Sequence, residues 1–187
     1  VYITQSDNFS VEVEADENLL KHVKTEVKEG ILKLHVDKSI WKSKSLKVHV
    51  SLPSIRRLEA SGGSDVYSKN TLRADKFKLH TRGGSDVKLS LDVKQFIGKT
   101  SGGSDAELEG EVEMAELYCN GGSDLEAKHL SIKKAMIRTS GGSDAYITVV
   151  DELNIEAAGA SDVYVYGNPT LKHKRVSGAS DLHWKSL

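Results

Sequence analysis

The stretch Gly62-Gly63-Ser64-Asp65 decides the fold of this 187-residue chain because it recurs at a nearly constant spacing. The later copies are 83–86, 102–105, 121–124 and 141–144, followed by Gly159-Ala160-Ser161-Asp162 and Gly178-Ala179-Ser180-Asp181. The steps between their first glycines are 21, 19, 19, 20, 18 and 19 residues. A period in this range is typical of a solenoid, in which each repeat forms one coil.

The residues that flank each copy alternate between apolar and polar, as in Val87 and Leu89 around Lys88. A period of two predicts strands with one buried face. We therefore predict an all-β fold, a right-handed parallel β-solenoid of about seven coils of about 19 residues over residues 54–187. Residues 1–53 lack the repeat, and we predict a β region there that caps the first coil within one continuous unit. Residues 37–45 are predicted to be a polar loop.

The turn places different demands on its residues. The first glycine occurs in every copy, which predicts a positive φ at Gly62, Gly83, Gly102, Gly121, Gly141, Gly159 and Gly178. Alanine at the second position of the last two copies predicts an ordinary φ there. Serine and aspartate can hydrogen-bond to the backbone, so we predict structural roles for Asp65, Asp86, Asp105, Asp124, Asp144, Asp162 and Asp181.

The aspartates also raise the alternative of a calcium ladder, because glycine- and aspartate-rich turns bind Ca²⁺ in nonapeptide β-rolls. Those rolls carry such turns about every nine residues on both edges, whereas this chain has one per coil. We therefore expect neither a metal nor another cofactor. The seven histidines show no metal-ligand spacing, and local sequence marks no catalytic serine or cysteine.

Composition limits the classes of partner. The formal net charge of −1 gives no global attraction for nucleic acid or an anionic membrane. No stretch approaches the ~20 apolar residues of a membrane span. The single cysteine, Cys119, falls on an inward position and is expected to be a small buried side chain.

Three tyrosines are the best candidates for a ligand or partner surface. Tyr146 and Tyr164 hold the same outward position in successive coils, and Tyr166 lies close to Tyr164 in sequence. Exposed aromatic groups bind sugar rings or proteins, although strand propensity alone also explains tyrosine here. We expect any homo-oligomer to form sideways, through this face.

The last coil is atypical. Leu182 and Trp184 fall on inward positions, which predicts that Trp184 is buried and closes the open end of the core. The charged run at residues 172–175 replaces an apolar strand and is expected to discourage further strands from adding.

The serial turns, together with QSDNFSVEVEADENLL at 5–20 and VSLPSIRRLEASGGSDV at 50–66, resemble the putative auto-transporter adhesin head domain, or GIN domain, of gut Bacteroidetes. The resemblance covers essentially the whole chain. It implies a β-helix-like superhelix similar to pectin-lyase-type folds without their catalytic residues. It also implies adhesion, assembly as a trimer, and export to the periplasm, outer membrane or cell surface.

Together these observations favour a non-enzymatic surface interaction module with a protein or glycan partner. The alternative is a carbohydrate-active enzyme or glycan-binding protein on the same scaffold, for which a pair of carboxylates in a long cleft would be the sign. The resemblance supplies no catalytic or ligand residues.

Overall fold

The computed structural model describes residues 1–37 and 45–186, so most of the predicted polar loop, including Trp41, lies outside the described residues. The elements in the described part are β1 (Tyr2–Gln5), β2 (Ser10–Ala15), α1 (Glu17–Leu20), β3 (Val23–Lys28), β4 (Ile31–Val36), β5 (Leu46–Leu52), β6 (Arg57–Ser61), β7 (Val66–Ser68), β8 (Leu72–Arg82), β9 (Val87–Ser101), β10 (Ala106–Gly121), β11 (Leu125–Gly141), β12 (Ala145–Gly159), β13 (Val163–Tyr166), β14 (Thr170–Val176) and β15 (Leu182–Lys185).

Strands of successive coils pair in parallel, so equivalent residues lie side by side in columns. Ala106 of β10 pairs with Val87 on one side and with Leu125 on the other, and Leu125 pairs in turn with Ala145. The chain is nearly all β and forms a solenoid of about seven turns, which confirms the predicted fold class. The core is therefore a set of columns that run along the solenoid.

The core columns are closely packed. The inward position three residues after each turn aspartate is at most 1% exposed from Leu89 through Leu108, Ala127 and Ile147 to Val165. On the opposite wall the rings of Phe77 and Phe96 stack at 5.9 Å. Gly98 makes room for this pair, because a Cβ there would lie 3.0 Å from the Phe96 ring.

The predicted burial of Cys119 is confirmed, since its side chain is 0% exposed. The residue belongs to a column of small side chains with Thr100 and Thr139 as its neighbours. The Thr100 hydroxyl lies 3.3 Å from its sulfur. Burial raises the pKa of the Cys119 thiol to about 11, so the sulfur stays protonated and unreactive at neutral pH.

The N-terminal strands continue the solenoid sheet. β1 pairs in parallel with β7 on one side and β5 on the other, and β2 closes the edge antiparallel to β5. Gln5 strengthens the junction, because its amide N–H donates to the Asn70 side chain at 2.9 Å and its side-chain oxygen accepts from the Arg73 amide at 2.6 Å. β3 and β4 form an antiparallel hairpin, with Glu29 and Gly30 at positive φ.

The first glycines of all seven turns have φ between 68° and 88°, as predicted. The prediction of an ordinary φ at the second position is correct for the last four turns and wrong for the first three. Gly63, Gly84 and Gly103 have φ of 76°, 72° and 76°. The alanines of the last two copies therefore indicate the conformation of the later turns only. In the first three turns, both glycines adopt left-handed conformations.

The turn serines face the core, and their hydroxyls form hydrogen bonds with backbone groups at the corner. Five of their hydroxyls donate to the carbonyl three residues earlier at 2.9 to 3.1 Å, those of Ser64, Ser104, Ser123, Ser143 and Ser161. The Ser180 hydroxyl also accepts from the amide of Ser161 in the preceding coil at 3.2 Å. These bonds satisfy polar groups that a sharp corner would leave buried without partners.

The later turns also stack against each other through the backbone. The amide of Gly142 donates to the carbonyl of Gly121 at 2.8 Å, and the amide of Ala160 donates to that of Gly141 at 2.7 Å. Such close stacking leaves no room for a side chain, because a Cβ at Gly141 would lie 2.8 Å from the Gly121 carbonyl oxygen. The first glycine is required there both for its φ and for this contact.

The prediction for Trp184 is wrong. Its backbone pairs with the fully buried Val165, but its side chain is 48% exposed. An inward side chain is buried by the coils on both sides of it, and in the described residues β15 pairs with β13 alone. The predicted polar strand is confirmed, since residues 170–175 of β14 are exposed.

Substitution at the turn should separate its two glycine positions. Gly141→Ala should lower the free energy of unfolding by about 2 kcal/mol or more, because alanine is strained at positive φ and meets the Gly121 carbonyl. Gly142→Ala is the matched control, since φ is not positive there and the nearest backbone atom to a Cβ is 3.9 Å away. It should leave stability unchanged or raise it by up to about 1 kcal/mol. Equal losses in urea unfolding would contradict this account of the turn.

Candidate binding face

The second residue after each turn aspartate points away from the core, and these residues form one column, here called the outward column. Its members are Tyr67, Lys88, Glu107, Glu126, Tyr146, Tyr164 and His183, and the sheet extends it through Tyr2 and His49 of the N-terminal strands. The column therefore runs over nine adjacent strands.

An aromatic stack occupies the C-terminal end of the outward column. The rings of Tyr146 and Tyr164 lie 4.5 Å apart and 3° from parallel, and His183 continues the stack 4.6 Å from Tyr164 at 15°. The structure thus brings Tyr146 and Tyr164 together as the sequence indicated. Tyr166 lies on the neighbouring outward position, where the Lys128 ammonium stands 4.7 Å from its ring centroid.

Stacking decides which parts of the rings meet solvent. Tyr164 has a ring against each of its faces, so its edge and hydroxyl are what it presents outward. Partial burial raises the pKa of Tyr146, and the neighbouring Tyr164 and Asp144 raise it further. The phenols are therefore neutral donors and acceptors at physiological pH.

A second aromatic stack, which the repeat pattern alone does not predict, lies at the N-terminal end of the column. Tyr2 lies between His49 and Tyr67, with centroid distances of 5.1 and 5.5 Å, and the Lys69 ammonium is 4.3 Å from its centroid. Tyr67 follows its turn aspartate at the same offset as Tyr146, so the repeat contained the signal for it. Tyr2 and His49 join only because β1 inserts between β5 and β7.

The middle of the column is charged. The Lys88 ammonium contacts the Glu107 carboxylate at 2.6 Å, and Glu126 is the next residue along. Burial raises the pKa of Glu126, and the nearby carboxylates of Asp124, Glu107 and Asp105 raise it further. The face therefore has an aromatic stack at each end and charged side chains in its centre.

The turn aspartates form a hydrogen-bonded ladder beside this face. The Asp105 carboxylate accepts from the Asp124 amide at 3.2 Å, and the rungs continue through Asp144 and Asp162 to Asp181 at 3.1 to 3.3 Å. In the later turns, the aspartates therefore form the hydrogen bonds with backbone amides that the sequence predicted. At the end of the ladder, ligand atoms of Asp162, Asp181 and His183 lie within 4.8 Å of one another.

A small polar depression lies where the N-terminal strands meet the solenoid, lined by Gln5, Ser6, Asp7, Pro53, Asn70, Thr71 and Arg73. Its single acidic side chain is Asp7. The Gln5 side chain is engaged with the Pro53 and Arg73 carbonyls at 3.0 and 3.1 Å, so it serves the strand junction.

In the described part of the chain, no helix has the length and hydropathy needed to cross a membrane.

The sequence pattern of the family described as "Putative auto-transporter adhesin, head GIN domain" matches residues 1–169. The chain belongs to this family. The match confirms the resemblance inferred from the turn repeats and from the two N-terminal stretches.

Crystal structures of Bacteroidetes proteins have the same fold as this GIN domain. A putative adhesin from Bacteroides fragilis NCTC 9343 superposes with a TM-score of 0.89 at 22% identity, over 100% of this chain and 87% of that one. A putative adhesin from Parabacteroides merdae ATCC 43184 gives 0.77 at 17% identity, over 98% and 87%. A putative lipid binding protein from Parabacteroides distasonis ATCC 8503 gives 0.75 at 18% identity, over 98% and 87%. No curated protein matches the sequence.

The charged centre of the GIN domain's outward column predicts a pH dependence. The pKa of Glu126 is higher in the folded state than in the unfolded state, so the fold favours the protonated carboxyl. The free energy of unfolding should therefore rise as the pH falls through the folded-state pKa of this group. Glu126→Gln should therefore raise the melting temperature at pH 7 and change it little near pH 3, where the carboxyl is protonated in both states.

The control for this experiment is Glu111→Gln, at an exposed position on the neighbouring strand β10. For this control, the difference in melting temperature between pH 7 and pH 3 should be close to that of the wild type. A Glu126→Gln variant that is destabilised at pH 7 would contradict the assignment of an unfavourable negative charge at Glu126.

Proposed function

We propose that this GIN domain is a non-enzymatic interaction module of the bacterial envelope, exported to the periplasm, outer membrane or cell surface, and that its outward column binds a protein partner. The description of the family as an adhesin head supports the general role. The assignment of the face rests on the two aromatic stacks that flank Lys88, Glu107 and Glu126.

The arrangement suits a protein interface. Tyrosine is enriched at interfaces because it combines a large apolar body with a polar tip. The stacked rings of Tyr146 and Tyr164 are held by neighbouring strands, so little side-chain entropy is lost on binding. The charged residues between the stacks contribute orientation and selectivity more than affinity.

The covered ring faces argue for a protein over a glycan. A sugar that packs on an aromatic platform needs an open face, whereas Tyr164 is stacked on both sides. Its ring edge and hydroxyl are suited to hydrogen bonding and to packing against side chains. A glycan ligand is therefore the alternative outcome of the experiment below.

The observed groups also favour binding over catalysis. Glycoside hydrolysis uses a pair of carboxylates, while the polar depression at the strand junction contains Asp7 as its one acidic residue. The Cys119 thiol lies in the core with its pKa raised to about 11, which removes it as a nucleophile. A carbohydrate-active enzyme remains the alternative function.

The proposal is tested by biolayer interferometry of the purified domain against immobilised host extracellular-matrix proteins and mucin, with a parallel glycan array. We expect saturable binding to a protein surface that is weakened at least about tenfold by Tyr164→Ala, since buried interface tyrosines often contribute more than 1 kcal/mol. Tyr118→Ala is the control, because Tyr118 points outward from the strand before the turn. Binding that Tyr164→Ala leaves intact would overturn the assignment of this face, and binding to glycans alone would favour the alternative.

A second consequence concerns self-association. We expect any homo-oligomer, including the trimer that the family resemblance implies, to form sideways through the face that contains Tyr146, Tyr164 and Tyr166. Light scattering after size-exclusion chromatography should then give the mass of an oligomer for the wild type and of a monomer for Tyr164→Glu, because a buried unpaired carboxylate opposes association. A monomer mass for both proteins would contradict the prediction of a homo-oligomer. An oligomer that survives the substitution would move its interface away from the tyrosines.

A further inference from the structure

The last coil brings together three side chains that bind metals in other proteins. Asp162 ends the sixth turn, Asp181 ends the seventh, and His183 stands two residues beyond it on β15. Their carboxylate and imidazole ligand atoms all lie within 4.8 Å of one another. No spacing in the sequence indicates this group, because Asp162 and His183 meet through the pairing of β13 with β15.

Contacts within the sheet hold two of the three side chains in place. The Asp162 carboxylate accepts from the Asp181 amide at 3.1 Å, which fixes its orientation and leaves further lone pairs available. The His183 ring is half-buried and stacks on Tyr164 at 4.6 Å, which fixes its plane. The Asp162 carboxylate and the His183 ring are therefore held in place before a metal binds, and the pairing of β13 with β15 brings the exposed Asp181 beside them.

The seventh coil differs from the others at this place. In the six earlier coils the equivalent position is held by Tyr67, Lys88, Glu107, Glu126, Tyr146 and Tyr164, so among the seven turn repeats His183 alone offers an imidazole there. Calcium takes six to eight oxygen ligands, so a group with one nitrogen and two carboxylates does not suit it. Imidazole together with carboxylate suits zinc and similar transition metals.

We propose that Asp162, Asp181 and His183 form a binding site for a divalent transition-metal ion of the zinc type. Three protein ligands leave a fourth tetrahedral position for water or for a side chain of a partner. The bound ion connects the last two coils, because its ligands come from both. The Lys185 ammonium lies 5.4 Å from the centroid of the Tyr164 ring on which His183 stacks, and a positive charge in this region lowers the affinity for a cation. The proposal does not depend on the protein partner proposed above.

The test uses the untagged full chain, because a histidine tag would itself bind zinc. Isothermal titration with ZnCl₂ should give one ion per chain, and CaCl₂ should give no comparable binding. His183→Ala should weaken zinc binding at least about tenfold, since even residues that only orient a ligand contribute 10- to 100-fold to metal affinity. Asp181→Asn should weaken it as well.

His173→Ala is the matched control, because His173 is an exposed histidine on β14, outside the group. It should bind zinc as the wild type does. The melting temperature gives a second measurement: zinc should raise it for the wild type and for His173→Ala, and should leave it unchanged for His183→Ala, because a ligand stabilises the state that it binds. Absence of zinc binding to the wild type at millimolar concentration would overturn the proposal, as would binding that survives both His183→Ala and Asp181→Asn.

Discussion

The fold depends on how closely one turn can lie on the next. In the later coils the amide of the second turn residue donates to the carbonyl of the first glycine in the preceding coil, at 2.7 to 2.8 Å. A Cβ at Gly159 would lie 2.8 Å from the Gly141 carbonyl oxygen, and a Cβ at Gly178 would lie 2.5 Å from the Gly159 carbonyl oxygen. Because this contact fixes the later turns directly above one another, it also fixes the register of the strands that leave those turns. The core columns, the aspartate ladder and the outward column all follow from that register.

The turns show where local sequence stops determining conformation. The copies at 102–105 and 121–124 have the same four residues, yet the second glycine has positive φ in the first and not in the second. A difference between identical segments must come from residues outside the four, either next to them in the chain or in the adjacent coils. The invariant first glycine was predictable because one conformation serves every coil, whereas the second position depends on which backbone contact the adjacent coil offers.

The same reasoning separates what was predictable in the candidate face from what was not. Repeat alignment was sufficient to bring Tyr146 beside Tyr164, because both follow a turn aspartate by two residues. It also contained the signal for Tyr67. Tyr2 and His49 follow no repeat, and their place beside Tyr67 results from β1 pairing between β5 and β7. Pairing between strands so distant in sequence is set by the whole sheet, and no local pattern encodes it.

Parallel stacking also explains why the two ends of the solenoid differ from its middle. A middle residue such as Ile147 has a coil on each side and is completely buried, while Trp184 faces inward with β13 as its one described neighbour and stays 48% exposed. Burial in a solenoid is therefore a property of position in the array as much as of alternation along the strand. At the N-terminal end β2 turns the last pairing antiparallel, and it carries Glu12 and Glu14 on an exposed edge. At the other end β14 exposes charged side chains instead of an apolar strand. Both devices make the terminal edges poorer templates for additional strands than the coils between them.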